Sequence, residues 1–271
     1  MPAHTPRLIA LDMDGTLLDG EGRIPAGFTE LAARLHDRGV FLVPASGRQL
    51  ATLRDMFAGI HGIDSFIAEN GTVVSHRGTV VDTTQLPADV VTACLNACAG
   101  IDSAHTYAVV LCAPETAYVT ASTPAAIRAE IDKYYHSVTV VDDLAPVAAA
   151  EPLVKLAVYC TADSEEHVAP HLRAAAAGNN LAISGKNWLD VMSANADKGN
   201  ALKQLAVKLG IPMEQTAAFG DYLNDFQLLQ AAGTAVAMEN AHSRLKEIAD
   251  LQAPSNLRNG VLEVLRHWFG E

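Results

Sequence analysis

The chain has 271 residues, 49% of them hydrophobic, and carries 31 acidic against 19 basic side chains for a formal charge of −12. That length allows one large domain or two ordinary ones, and the acidic balance, with no basic run, argues against a nucleic-acid partner. No apolar run approaches the roughly 20 residues of a membrane span, and residues 1–7, MPAHTPR, hold no apolar stretch of the secretory kind, so a cytoplasmic protein without a membrane partner is expected.

Residues 7–15, RLIALDMDG, predict a buried strand that ends in a tight turn. A helix is expected over 25–38: Pro25 suits its first turn, Phe28, Leu31, Ala32 and Leu35 follow helical spacing, and Gly39 is placed to end it. VFLVPASGR (40–48) reads as strand into loop, 49–58 as a helix, SFIAENG (65–71) as a third strand, and TVVSHRGTVVD (72–82) as a hairpin. The middle differs. Helices are predicted at 87–99, 124–135 and 164–177, with strands at 106–112, 116–120, 138–141, 153–160 and 188–192. About a hundred residues are too many for a loop and imply an inserted domain with its own sheet. The earlier rhythm then returns. An amphipathic helix at 197–209 is stopped by Gly210 and Pro212, TAAFGDYLND (216–225) runs strand, acidic loop, helix, and a short strand at 234–240 precedes helices at 241–249 and 259–268.

Alternating strands and helices argue for a mainly parallel sheet covered on both faces. The expected fold is α/β, with a Rossmann-like parallel-sheet core made of residues 1–83 and 190–271 and an inserted α+β cap domain at 84–189. The chain would cross between them near 82–86 and 185–190. The four cysteines, Cys94, Cys98, Cys112 and Cys160, show no zinc spacing and suit core packing.

Four loops follow a core strand or open a core helix: DMDGT (12–16), ASGR (45–48), the start of DKGNAL (197–202) and GDYLND (220–225). The carboxyl ends of strands in an open parallel sheet face one crevice, so these loops can converge there. Asp12 and Asp14 put two like charges at one place, an arrangement a divalent cation or a proton would reward. A calcium loop counted from Asp12 would need Gly at its sixth position and Glu at its twelfth, and finds Leu17 and Arg23. One loop alone could be a plain turn, because Asp and Gly favour turns; four in this order are not.

DMDGTLL, ASGR, DKGNAL and GDYLND resemble the four ordered motifs of the haloacid dehalogenase superfamily, and the resemblance spans essentially the whole chain. ENG at 69–71 and the large insert resemble its Cof-type branch. Within the insert, AYV (117–119), KYYH (133–136) and VDD (141–143) are similar to bacterial sugar-phosphate phosphatases. The resemblance implies that Asp12 is the nucleophile that takes the phosphoryl group as an aspartyl phosphate, and that Asp14 is the general acid–base. It implies that the amide of Met13 and the hydroxyl and amide of Ser46 and Gly47 face the phosphate. Lys198 would bridge nucleophile and phosphate. Mg²⁺ would be held by Asp12, Asp221 and the main-chain carbonyl of Asp14, with Asn224 and Asp225 in support and Asn224 near the phosphate. Arg48 would reach substrate or pair within the core, and Glu69 and Asn70 would brace the loops. Tyr222 departs from the pattern, standing where many relatives carry a small or amide residue. The implied activity is phosphate-ester hydrolysis on small phosphorylated metabolites, first among them sugar phosphates, by a monomer or small homo-oligomer. A phosphosugar mutase and a pyridoxal phosphate phosphatase are the alternatives. Tyr118, Lys155, Asp190 and Asn195 are candidates for substrate choice.

Overall fold

The computed structural model describes residues 2, 4–102 and 104–270. The chain forms two compact units, Met1–Gly47 with Asp55–Asp82 and Asp197–Glu271, and Arg48–Arg54 with Thr83–Ala196.

The first unit is built on β1 (Leu8–Asp12), β2 (Phe41–Ala45), β3 (Ser65–Ala68), β4 (Val73–His76) and β5 (Thr79–Thr83). The second contributes β6 (Tyr107–Cys112), β7 (Ala117–Thr120), β8 (Val138–Val141), β9 (Lys155–Cys160), β10 (Asn180–Gly185) and β11 (Trp188–Met192). The chain then returns to the first with β12 (Thr216–Gly220), β13 (Ala235–Met238) and β14 (Leu251–Ala253). The larger sheet has the order β14-β13-β12-β1-β2-β3-β4-β5, with every pair from β14 to β3 parallel and β3–β4 antiparallel. All five residues of β1 are buried, as expected of a central parallel strand covered on both faces. Against β2, the helix Phe28–Asp37 buries Phe28, Leu31, Ala32 and Leu35, each stabilising by about 1.5–3 kcal/mol if large and apolar. That helix starts three residues later than the sequence predicts, because Gly27 takes a left-handed φ of 85° and leaves Pro25 outside.

The smaller sheet, ordered β10-β11-β9-β6-β7-β8, is antiparallel except for β7–β8. One face packs on a cluster that includes Val91, Cys94, Cys98, Leu156, Val158 and Leu172. All four cysteines are buried and free, and burial pushes the Cys94 and Cys98 thiols up to about 11 and 12, so they pack as small apolar groups. Residues 48–54 cluster with this unit, where Gln49 exchanges two 2.9 Å hydrogen bonds with the main chain of Ser137.

Several elements differ from the sequence reading. β11 lies wholly in the second sheet, antiparallel to β9, so a return to the core at residue 190 would cut a paired strand; the first unit resumes at Asp197. The single helix predicted at 164–177 is two short ones, Ser164–His167 and Ala169–Leu172, since Pro170 has no N–H for a continuous helix. The helix predicted at 124–135 ends at Ile131, which leaves Tyr134 and Tyr135 beyond it. β10, β14 and the helix Ala145–Ala150 were not foreseen.

Among the described residues, no helix is long and apolar enough to cross a membrane.

Candidate active site

β1 lies between β2 and β12, all three parallel, with Asp12 opposite Ala45 and Leu11 opposite Phe219. Asp12 therefore ends its strand level with Ser46, the residue after β2, and Asp221, the residue after β12. The chain leaves β1 through a tight turn closed by the Leu18 N–H donating to the Met13 carbonyl at 2.9 Å. Gly15 sits in that turn at φ 78°, and a Cβ there would stand 2.3 Å from Asp221 Oδ2. Only glycine fits both the backbone and the space. The next residue, Thr16, donates from Oγ1 to Asp221 Oδ1 at 3.1 Å and so ties the first loop to the last. Thr16 escapes a sequence reading that looks for charged groups; its signal is its place as the closing residue of DMDGT.

Lys198 is the first residue of the helix Lys198–Leu209, whose N-cap Asp197 accepts the Asn200 N–H at 2.7 Å. The lysine is fully buried. Its Nζ donates to Asp12 Oδ1 at 2.6 Å and to Asp225 Oδ1 at 2.7 Å. Asp225, also fully buried, accepts the main-chain N–H groups of Asp221 and Tyr222 on its other oxygen at 3.1 and 3.3 Å. Both Asp225 oxygens are thus engaged by nitrogen donors, which makes this carboxylate a brace for the lysine and the acidic loop. The approach depends on Gly199, where a Cβ would lie 2.2 Å from the Gln227 carbonyl oxygen.

Of the remaining residues singled out from the sequence, Met13 is fully buried and begins the first turn. Asp14 follows it and is exposed. Ser46 is buried at the end of β2, with Gly47 and Arg48 half-buried after it; Arg48 begins the stretch that clusters with the second unit. Asn224 is exposed. Tyr222 is 61% exposed, edge-on to His242 at 6.1 Å. In the second unit, Lys155 and Asp190 are buried on one face of the smaller sheet, and Tyr118, opposite Leu111, packs on the other with the apolar cluster. Asn195 is exposed.

Carboxylate oxygens of Asp12, Asp221 and Asp225 all lie within 4.8 Å of one another. Burial pushes the Asp12 carboxyl up to about 8; the Asp225 charge adds to this, and Lys198 offsets it only in part. Burial and then Asp225 push Asp221 up to about 6. Burial works against the charge on Lys198, yet Asp12 and Asp225 outweigh it and hold its pKa above the ordinary value. Three acids against one cation leave negative charge in excess. Oxygen donors of this hardness suit Mg²⁺.

A stability effect follows. In the unfolded chain Asp12 titrates near its ordinary value of about 3.9, so between there and pH 8 the folded state binds more protons than the unfolded state. Stability present at the acid end is then lost as pH rises. Denaturant melts in a chelator are expected to show stability falling from pH 5 to pH 8, with the slope flattened in Asp12→Asn.

A family model described as haloacid dehalogenase-like hydrolase matches residues 9–265. The chain belongs to this family. Among similar proteins, 5-amino-6-(5-phospho-D-ribitylamino)uracil phosphatase of Escherichia coli strain K12 is 29% identical over 265 residues, covering 96% of this chain and 94% of its own. The HMP-PP phosphatase of Enterobacter sp. strain 638 is 29% identical over 272 residues, covering 98% and 96%. Among solved structures, BT1666 of Bacteroides thetaiotaomicron, from the phosphatases of the haloalkanoate (HAD) superfamily, superposes with a TM-score of 0.77 at 26% identity over 98% of this chain and 96% of its own. A parallel-sheet core interrupted by an α+β insertion is the architecture of this chain, and the chain is an enzyme of that hydrolase family.

Proposed function

We propose that this enzyme is a Mg²⁺-dependent phosphatase of small phosphorylated metabolites, with sugar phosphates as the leading class, working in the cytoplasm through an aspartyl phosphate on Asp12. The observation that carries the reading is the buried Lys198, 2.6 Å from Asp12 at the end of β1 and 2.7 Å from Asp225 in the turn that follows the adjacent parallel strand β12. Relatives named as phosphatases of phosphorylated ribitylaminouracil and of HMP-PP support small phosphorylated metabolites as the substrates.

Asp12 and Asp221 would hold the cation, joined by the main-chain oxygen of Asp14. When bound, Mg²⁺ screens the negative charges of nucleophile and phosphate from each other and withdraws charge from the phosphoryl oxygens. The Asp12 carboxylate attacks phosphorus as the ester P–O bond breaks. Asp14 gives its proton to the departing alkoxide, then takes one from the water that attacks the aspartyl phosphate in the second step. Phosphate leaves, and Asp12 is a free carboxylate again. Ser46, the Gly47 amide and Lys198 hold the oxygens of the transferring group. Asp225 keeps the lysine aimed, and Thr16 keeps Asp221 aimed. Choice among metabolites is assigned to the inserted unit, with Lys155 and Asp190 as the residues to examine.

The test is phosphate release across a panel of phosphorylated metabolites, with Mg²⁺ and with a chelator. Release that needs Mg²⁺ is expected. Conversion of a sugar phosphate to its isomer without free phosphate would contradict the reading.

A further inference from the structure

Residues 69–71, ENG, connect β3 to β4 through three successive left-handed residues: Glu69 at φ 50°, Asn70 at φ 55° and Gly71 at φ 96°. Two of the three are not glycine, and such conformations persist where the surroundings fix them, most often at functional positions. This turn touches three of the four loops at the strand ends. The Asn70 N–H donates to the Ser46 carbonyl at 2.9 Å. The Asn70 side-chain amide lies against Gly47, where a Cβ would stand 3.0 Å from both its nitrogen and its oxygen. That same oxygen accepts from Asn224 Nδ2 at 3.4 Å. At Gly71, a Cβ would stand 2.3 Å from the Asp197 carbonyl oxygen and 2.7 Å from the Lys198 nitrogen, so the turn and the start of the lysine's helix meet backbone to backbone.

Asparagine tolerates the left-handed region better than other side chains, and glycine better still. A position that had only to turn the chain would be served at least as well by glycine. What asparagine adds is the amide, and here the amide fills the space between Gly47 and Asn224.

We propose that Asn70 is a positioning residue for phosphate binding: its side-chain amide sets the Ser46–Gly47 loop in register with Asn224 while its neighbour Gly71 seats Lys198. This rests on the phosphate site proposed above.

The experiment compares wild type with Asn70→Gly, titrating each with inorganic phosphate by calorimetry in Mg²⁺ and measuring KM and kcat on a substrate found in the panel. Asn70→Gly keeps the left-handed backbone while removing the amide, and the ease of glycine at positive φ offsets the lost packing, so its melting temperature is expected to change little. Its phosphate dissociation constant is expected to rise about tenfold, the scale of lost outer-shell support, with KM rising in parallel and kcat changing less. Asn70→Ala, which also loses the turn's preference, should weaken phosphate at least as much and melt lower. Unchanged phosphate affinity in Asn70→Gly overturns the proposal, and so does a wild type that binds no phosphate. A wild type that binds phosphate but hydrolyses no monoester refutes the proposed function instead, and the ratio of phosphate affinities still decides the role of Asn70.

Discussion

Asp12→Asn is expected to lower kcat for phosphate release by on the order of 10⁴-fold or more, as loss of a covalent nucleophile does. The amide is nearly the same size, so shape and packing change little. What changes is that the proposed nucleophile would lose its charge and its nucleophilicity. The same substitution should leave the folded protein no less stable at pH 8 in a chelator, because it removes a carboxyl that burial and Asp225 push up to about 8. Activity falling while stability holds separates a chemical role from a structural one. A protein that merely used Asp12 to pair with Lys198 would behave in the opposite way, losing stability with the ion pair.

Lys198→Met should cost both. The methionine side chain is of similar length, yet it leaves Asp12 and Asp225 facing each other in a buried site without their cation. Removing one partner from a buried ion pair typically costs about 3–5 kcal/mol, which for a chain of this size is roughly a 10 °C fall in melting temperature. Thermal melts in a chelator read this directly. Adding Mg²⁺ should restore part of the loss by compensating Asp12, and less of the part due to Asp225, whose Oδ1 loses the Lys198 ammonium while its Oδ2 stays tied to the Asp221 and Tyr222 N–H groups. The double variant Lys198→Met, Asp225→Asn should therefore be more stable than Lys198→Met alone, a coupling expected of residues in direct contact. Turnover should fall by on the order of 10²-fold or more, the effect of losing a charge-stabilising donor.

Much of the core was legible in the sequence because its strands obey one simple demand. β1, β2 and β12 are buried on both faces, so each reads as an apolar run that ends abruptly in polar residues. Those abrupt ends are the loops that carry Asp12, Ser46 and Asp221. The helix that begins at Lys198 was legible through its cap, Asp197, and its stop at Gly210. The insertion was harder to read. β10, NLAISG, is an edge strand with only half its main chain paired and a polar start, so neither length nor alternation announces it. β14 is three residues long and gains its place from pairing with β13, not from its own pattern. The break in the 164–177 segment falls at Pro170, which has no N–H for a continuous helix. Asp12, Lys198, Asp221 and Asp225 could be picked out from the sequence, and the contacts that bring them together could not. That Asp225 spends both oxygens on nitrogen donors, and that Thr16 reaches across 205 positions to Asp221, depends on contacts between distant segments.

The proposed reaction is covalent, with the phosphoryl group passing through Asp12. Mixing the enzyme with a substrate it turns over in Mg²⁺, quenching in acid within a turnover and mapping the peptides tests that claim most directly. A phosphoryl group on the peptide that contains residue 12, absent from Asp12→Asn, is the predicted result. Rapid phosphate release with that peptide unmodified and the phosphoryl group on another residue, or an Asp12→Asn variant that turns over like wild type, would contradict it.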